Sequence, residues 1–164
     1  MSKRREGRET AIQLLFSRDF TPPGAVHEVD GFFEIHSAGP KIREHAIALY
    51  HGVVANLESI DKRLVGCLEN FSLERLAGVD RNILRLAIYE MFHATEVPPI
   101  VAINEAIEIS KRFGTPDSSR FVNGVLDRLK QDLTRNLRQA SQKPALKTAP
   151  TASPASASGE PPTP

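Results

Sequence analysis

The sequence predicts an all-α protein of about seven helices followed by a disordered C-terminal tail. Hydrophobic side chains recur every three or four residues through most of the segment 8–137, which is the period of an amphipathic helix. No segment alternates apolar and polar residues over the length of a strand, and no Asn-Gly or Asp-Gly turn lies between two β-rich segments. The chain has 164 residues. Residues 1–139 are enough to bury one hydrophobic core without metals or disulfides.

The first half of the chain is predicted to contain helical segments separated by proline- and glycine-rich turns. The first helix covers residues 8–20 and ends at Thr21-Pro22-Pro23-Gly24. Residues 25–39 form either a short helix or an ordered loop. From Pro40, a suitable first-turn proline, the apolar period continues to about Leu68. We expect one long helix there, or two abutting helices with a bend near residues 56–59.

The second half is predicted to hold the central helix of the fold. A short piece at 72–76 leads into residues 79–95, whose apolar side chains occupy almost every side, as expected of a helix surrounded by others. After Pro98-Pro99 comes a helix over 101–113, which Gly114 is expected to close from the C′ position. Thr115-Pro116-Asp117 resembles a helix N-cap, and the last helix runs to about Leu137.

Composition predicts the character of the C-terminal segment and the cellular location of the protein. Residues 140–164 hold half of the 12 prolines, with Leu146 as the single large apolar residue, and are predicted to form a disordered tail. The N-terminal segment leads into no signal-peptide core, and no apolar run reaches the length of a membrane span. We therefore expect a cytoplasmic protein that does not bind membranes.

The sequence offers little for catalysis or for binding metals and cofactors. Its five histidines never stand three or four residues apart, and a single cysteine, Cys67, cannot form a zinc knuckle or an internal disulfide. No glycine-rich phosphate loop or nucleophile elbow is present. Most carboxylates have a Lys or Arg three or four positions away, which is typical of solvated helix faces. We expect a protein that is not an enzyme and has neither cofactor nor metal.

A local basic cluster indicates a nucleic-acid contact, because the net charge of the whole chain is only +1. Its members are Lys3, Arg4, Arg5 and Arg8. Cations at a helix N-terminus oppose the macrodipole, so stability does not explain them. The functional interpretation is a phosphate-binding arm that RNA would order. The alternative is a frayed terminus with incidental charge.

The start of the last helix is the second unusual place. Ser118 and Ser119 stand where backbone N–H groups of a helix lack partners, so an anion could bind there. Phe121 is either a core residue or a platform on which an unpaired base stacks. Gly124, inside the helix, suggests that another backbone passes close by. In the preceding helix, Asn104 is expected to satisfy a buried backbone group, and Glu105 is also expected to be structural.

Several motifs taken together resemble the bacterial NusB family. The resemblance spans about residues 4–129 and is most specific from Val79 to Asp127. It is carried by Val79-Asp80-Arg81-Asn82-Ile83-Leu84-Arg85-Leu86-Ala87-Ile88-Tyr89-Glu90, by Val97-Pro98 with Val101-Ala102-Ile103-Asn104-Glu105-Ala106, by Phe113-Gly114 and Asp117-Ser118, and by Arg120-Phe121-Val122-Asn123-Gly124-Val125-Leu126-Asp127. At the N-terminus, Arg8-Glu9 with Ala11, Gln13, Leu15 and Phe16 fits as well.

The resemblance implies two perpendicular three-helix bundles and a defined function. Such proteins join the ribosomal protein NusE, bind the boxA element of nascent RNA, and act in an antitermination complex with RNA polymerase, notably on ribosomal RNA operons; no DNA contact is implied. The implied RNA-binding residues are Lys3, Arg4, Arg5, Arg8, Gln13, Asp117, Ser118, Arg120 and Phe121. Phe16 would face RNA or core, and Asp80 is the position implied in NusE docking.

Two positions depart from the family pattern, and one alternative function stays open. Glu6 interrupts an arginine run that is often denser, and Ser119 stands where a His is common. Either change would weaken RNA affinity or relax its sequence preference. The alternative is a helical adaptor that binds proteins without significant RNA binding.

Overall fold

The computed structural model describes residues 2–142 and confirms the all-α prediction. Within these residues there is no β-strand, and no helix is long and apolar enough to cross a membrane. The elements are α1 (Lys3–Asp19), α2 (Val29–Ile35), α3 (Pro40–Ala55), α4 (Leu57–Cys67), a 3₁₀ turn (Leu73–Arg75), α5 (Gly78–Phe92), α6 (Pro99–Phe113) and α7 (Ser118–Gln142).

Helix α1 begins five residues earlier than the sequence predicts. Ser2 is its N-cap, and the Ser2 hydroxyl accepts a hydrogen bond from the backbone N–H of Arg5 at 3.2 Å. Serine is a preferred N-cap because its oxygen satisfies an amide that has no partner within the helix. The basic cluster therefore occupies the first two turns of a helix, which is neither a frayed terminus nor an arm that only RNA would order.

The structure decides both alternatives that the sequence left open, for residues 25–39 and for the long apolar segment after Pro40. Residues 29–35 form a short helix that buries Phe32 and Phe33. Pro40 opens α3, as predicted. The long apolar segment is two abutting helices that meet at Asn56, whose side-chain Nδ2 donates to the carbonyl of Gly52 at 2.8 Å.

Helix α5 lies at the centre of the fold, as its apolar sides predict. It packs against α1, α3, α4, α6 and α7. Ile83, Leu84 and Ile88 are each at most 1% exposed. These side chains join apolar residues of the surrounding helices in one continuous core, which fixes the relative positions of α1, α6 and α7.

A polar network ties the end of α1 to α4 and α5. Asp19 accepts hydrogen bonds from Arg81 at 2.9 Å and from Asn82 at 2.9 Å, and Arg85 donates to it at 3.3 Å. Arg85 also forms a two-pronged pair with Asp61 at 2.8 and 3.0 Å. Because each charged group has a partner of opposite sign, the network satisfies charges that the packing of these helices removes from water.

The two glycine predictions had different outcomes: Gly114 ends α6 as predicted, although at the C-cap and not at C′, whereas the prediction for Gly124 was wrong. Gly114 is the C-cap of α6, but its backbone is extended (φ −90°, ψ −172°), not left-handed. A Cβ there would lie 2.4 Å from Oγ of Ser118, so the close approach of Ser118 excludes a side chain. Around Gly124, by contrast, nothing among residues 2–142 lies within 4 Å of the position of a Cβ, so no second backbone of this part of the chain passes there.

Helix α7 extends past the boundary that the sequence suggests for the tail. It runs to Gln142, three residues beyond position 139. The predicted disorder of residues 143–164 concerns a segment outside the described residues.

Candidate nucleic-acid interface

Helix α6 connects the two regions that the sequence singled out. At one end of its α1-facing side, Glu105 binds Arg5, and two turns later Arg112 binds Glu9 with N–O distances of 2.9 and 3.1 Å. Phe113 then leads through four residues to α7. The rise of a helix puts about 12 Å between Glu105 and Phe113. The first turns of α1 therefore lie alongside α6, and the end of α6 leads to the start of α7.

Gln13 lies between these two regions. It is half-buried and lines a shallow cavity of about 420 Å³ between α1, the segment before α3 and the end of α6. Arg112 and Phe113 line the same cavity, together with Glu9. A polar side chain in this position can hydrogen-bond a ligand that runs from one region to the other.

Arg8 is part of the core, in contrast to the rest of the basic cluster. Its side chain is 5% exposed, and its guanidinium donates to both oxygens of Glu90, each at 2.8 Å. Burial disfavours its charge, but the hydrogen bonds and charge of Glu90 outweigh burial, and the net pKa of Arg8 is raised. Glu105 lies 3.8 Å away as a second anion. The Arg8 charge is thus neutralised inside the protein.

Arg5 is also paired, but at the surface. Its Nε and Nη2 donate to the carboxylate of Glu105 at 2.8 and 3.0 Å, and a third of its side chain remains exposed. The hydrogen bond from Arg5 is the main reason that the pKa of Glu105 is lowered. A phosphate at Arg5 would have to share the guanidinium with this carboxylate.

Lys3 and Arg4 are the accessible cations of the cluster. Both are exposed on the first turn of α1, and within residues 2–142 neither has an ion-pair partner within 4.0 Å. Their charges add to the positive end of the helix dipole. This turn is therefore the place on α1 where a phosphate meets uncompensated positive charge.

The start of α7 mixes structural and accessible residues. Ser118 is 1% exposed, and its Oγ accepts a hydrogen bond from the backbone N–H of Thr115 at 2.9 Å. Its own N–H donates to the carbonyl of Thr115 at 3.0 Å, so part of the predicted anion site is already used. Asp117 and Arg120 are exposed and Phe121 is half-buried, so these three residues can reach a ligand.

Exposed aromatic rings extend the interface beyond the residues that the sequence selected. Phe16 is 37% exposed and packs edge to face on Phe20, which is 73% exposed, at 5.1 Å between ring centroids. Of the two alternatives for Phe16, the structure thus supports a surface position. Phe71, 55% exposed, makes a similar edge contact with Phe121 at 6.3 Å. Phe71 stands in a loop without helical period, so no sequence pattern distinguishes it.

Asp80 opens α5 next to the polar network. It is 9% exposed, and its Oδ1 is buried without a hydrogen-bond partner among the described residues. A carboxylate in the first turn of a helix is favoured by the dipole. The residue therefore contributes a negative charge just below the surface at the start of the central helix.

The prediction for Asn104 was wrong, whereas Glu105 is structural as expected. Asn104 is exposed, so it satisfies no buried backbone group. Glu105 holds Arg5, as described above. Asn104 has apolar neighbours in the sequence, but the helical period puts it on the outer side of α6.

The described residues hold no group of three or more His, Cys, Asp or Glu side chains that could bind a metal ion. The histidines serve local packing instead. His27, for example, contacts the hydroxyls of Ser17 at 2.6 Å and Tyr50 at 2.9 Å. Burial lowers the pKa of His27.

The fold and the residues described above define a small all-helical protein with an accessible basic turn and exposed aromatic rings. The family model described as the NusB family matches residues 5–131. The chain belongs to the NusB family.

Relatives and solved structures agree with this assignment. The chain is 44% identical to the transcription antitermination protein NusB of Desulfosudis oleivorans, over 81% of this chain and 88% of the relative. It is similar to a solved structure of T. maritima NusB (TM-score 0.68, 38% identity, covering 80% of this chain and 92% of that chain). It is also similar to a chain in the structure of antitermination factors NusB and NusE with double-stranded RNA (TM-score 0.68, 26% identity, 80% and 98% coverage).

Proposed function

We propose that this protein is a transcription antitermination factor that binds boxA-type single-stranded RNA together with NusE, in a complex with RNA polymerase in the cytoplasm. The observation that carries the proposal is that α6 links α1 to the start of α7: Glu105 binds Arg5, Arg112 binds Glu9, and Gln13 lines a cavity with Arg112 and Phe113. A flexible strand can contact both regions at once. Family membership and the relatives' role in antitermination support the same conclusion.

The accessible cations are the main phosphate-binding groups. Lys3, Arg4 and Arg120 are exposed, whereas Arg8 is neutralised by Glu90 and Arg5 is shared with Glu105. Each phosphate neutralised on a single strand contributes about −0.7 to the slope of log K against log salt. With three contacts, the slope is about −2.

Base contacts fall to the aromatic and polar residues of the same surface. Phe121 and Phe16 present ring faces or edges for stacking, and Gln13 and Asp117 supply hydrogen-bonding groups. Unpaired bases are recognised in this way because their edges and faces are open. Ser118 acts on RNA indirectly, since its buried hydroxyl shapes the start of α7.

NusE docking is proposed at the start of α5, where Asp80 lies. Its nearly buried carboxylate, whose Oδ1 has no hydrogen-bond partner in the described part of the chain, favours a partner that brings a donor or a cation to this edge. Asp80→Asn keeps the shape and removes the charge. We expect weaker NusE binding in a pull-down or calorimetric titration, with unchanged affinity for RNA alone.

The experiment that tests the RNA proposal replaces Lys3 and Arg4 by Ala and titrates a boxA single strand with and without NusE. Deleting the whole N-terminus is unsuitable because it would remove Arg8 from the core pair. The double variant should reduce the magnitude of the salt slope by about 1.4 and leave the fold intact. The matched control, Lys62→Ala with Lys130→Ala, removes two exposed cations elsewhere and should leave the slope unchanged.

The outcomes separate the possible functions. No RNA binding by the wild type in the presence of NusE, with NusE itself bound, would favour the protein-binding adaptor. Equal affinity for a duplex and for a single strand of the same sequence would contradict recognition of unpaired bases. A salt slope near zero would reject the basic turn as an electrostatic contact.

A further inference from the structure

Gly124 has no packing role that explains why it lacks a side chain. It lies inside α7 and is exposed, and a Cβ placed on it would meet no atom of the described residues within 4 Å. Glycine inside a helix lowers stability compared with alanine because it costs more backbone entropy. The protein thus keeps a destabilising residue where an alanine would fit without contact.

The missing side chain leaves open a groove between α7 and the segment that follows α4. The groove has a volume of about 280 Å³. That is just below the range of about 300 to 1,000 Å³ that is usual for drug-sized ligands, so it suits one small ring system. Its lining includes Leu68, Phe71, Arg120, Phe121, Gly124 and Arg128.

The walls of the groove combine aromatic rings with an anchored arginine. The rings of Phe71 and Phe121 meet at 75° with centroids 6.3 Å apart, so each leaves part of its face open. Arg128 donates from Nη1 to the carbonyl of Cys67 at 3.1 Å and pairs through Nη2 with Glu69 at 3.0 Å. These contacts hold the loop against α7, so the groove exists before any ligand binds.

We propose that this groove binds one unpaired nucleobase of the RNA strand. A base is flat, has a π-face for Phe71 or Phe121, and carries a phosphate that Arg120 can meet at the groove's edge. The groove is continuous with the start of α7 through Arg120 and Phe121, so a strand lying there reaches it directly. The inference rests on the RNA binding proposed above, and it adds Gly124, Phe71 and the groove as the place where one base is held.

The test uses two substitutions at Gly124. Gly124→Ala should raise the stability of the protein, and Gly124→Leu should weaken RNA binding. Gly124→Ala should raise the melting temperature by about 2 to 5 °C through helix propensity. Gly124→Leu should also fold, because no neighbour clashes at Cβ, but its side chain fills the groove. Gln131→Leu is the matched control, since it is exposed two turns further along the same face and does not line the groove.

RNA affinity is measured in the presence of NusE with an intact boxA strand and with strands that carry one abasic position each. Losing one stacked base should weaken binding about 5- to 100-fold. Gly124→Leu should cause such a loss, and Gln131→Leu should not. One abasic strand should bind the wild type and Gly124→Leu with equal affinity, because the base that the leucine displaces is already missing.

The outcomes distinguish the groove from the overall proposal. Wild-type affinity of Gly124→Leu, or an equal loss with every abasic strand, would overturn the groove as a base site while leaving RNA binding intact. Failure of the wild type itself to bind RNA would overturn the proposed function. Phe71→Ala is an independent test, because it removes a wall of the groove that belongs to the loop and not to α7. It should weaken binding of the same base.

Discussion

Arg8 is predicted to act on RNA binding through the fold and not through phosphate contact. The perturbation is Arg8→Ala. In the structure, this change leaves Glu90, 2% exposed, without its cation. An ionised carboxylate without a partner is strongly disfavoured in the protein interior, because it has lost both water and its hydrogen-bond donors.

The magnitude follows from the burial of both partners. Removing one member of a buried ion pair costs about 3 to 5 kcal/mol, against a total stability of about 5 to 15 kcal/mol for a domain. The melting temperature should fall by roughly 10 to 20 °C. For comparison, Arg43 and Asp30 form an exposed pair in which the Asp30 side chain is 92% exposed, and Asp30→Ala should cost less than about 1 kcal/mol.

The assay is urea unfolding followed by circular dichroism, combined with RNA titration at a temperature where the variant is folded. Arg8→Met with Glu90→Met removes both charges and should recover most of the lost stability. This double variant should also bind RNA with a wild-type salt slope, because neither charge reaches the surface.

The reasoning would be refuted by an Arg8→Ala protein that unfolds at the wild-type urea concentration but binds RNA weakly. The reasoning would also be refuted if the variant with Arg8→Met and Glu90→Met were as stable as the wild type and had a smaller salt slope. Either result would make Arg8 a direct phosphate contact.

Two further predictions test the start of α7 and the polar network. Gly114→Ala should destabilise the protein and weaken RNA binding, because the added Cβ would lie 2.4 Å from Oγ of Ser118. Thermal melts and RNA titration measure both effects, and an unchanged melting temperature would contradict the prediction. Burial opposes ionisation of Asp19, but hydrogen bonds from Arg81 and Asn82 outweigh it and lower its pKa. The stability from Asp19 is therefore present above its unfolded pKa of about 3.9 and is lost as pH falls through the lower folded value. Asp19→Asn should be less stable than the wild type at pH 7, with a difference that shrinks below about pH 4; a difference independent of pH would contradict the pairing.

The helices were predictable because hydrophobic period and turn residues act locally. Pro40 and the central apolar helix stand where the sequence indicated. The early start of α1 was missed because its first turns carry charge in place of an apolar stripe. Their helical form depends on the Ser2 cap and on the Arg5–Glu105 and Arg8–Glu90 pairs, which join residues 100 and 82 positions apart.

The candidate surface was only partly predictable for the same reason. The sequence identified Arg8 as a member of the basic cluster, but only the fold shows that Glu90 is its buried partner. Ser118 looked like an open anion site, yet Thr115 and Gly114 close around its hydroxyl. Phe71 gave no signal because its role depends on a loop that packs beside α7.

The most direct measurement follows backbone amide signals by NMR while one boxA strand is added to the labelled protein with NusE. Signals of Lys3, Arg4, Gln13, Arg120 and Phe121 should shift together, with one midpoint and one strand bound per protein. Shifts confined to α1 or to α7, or two separate midpoints, would contradict a single surface shared by both regions.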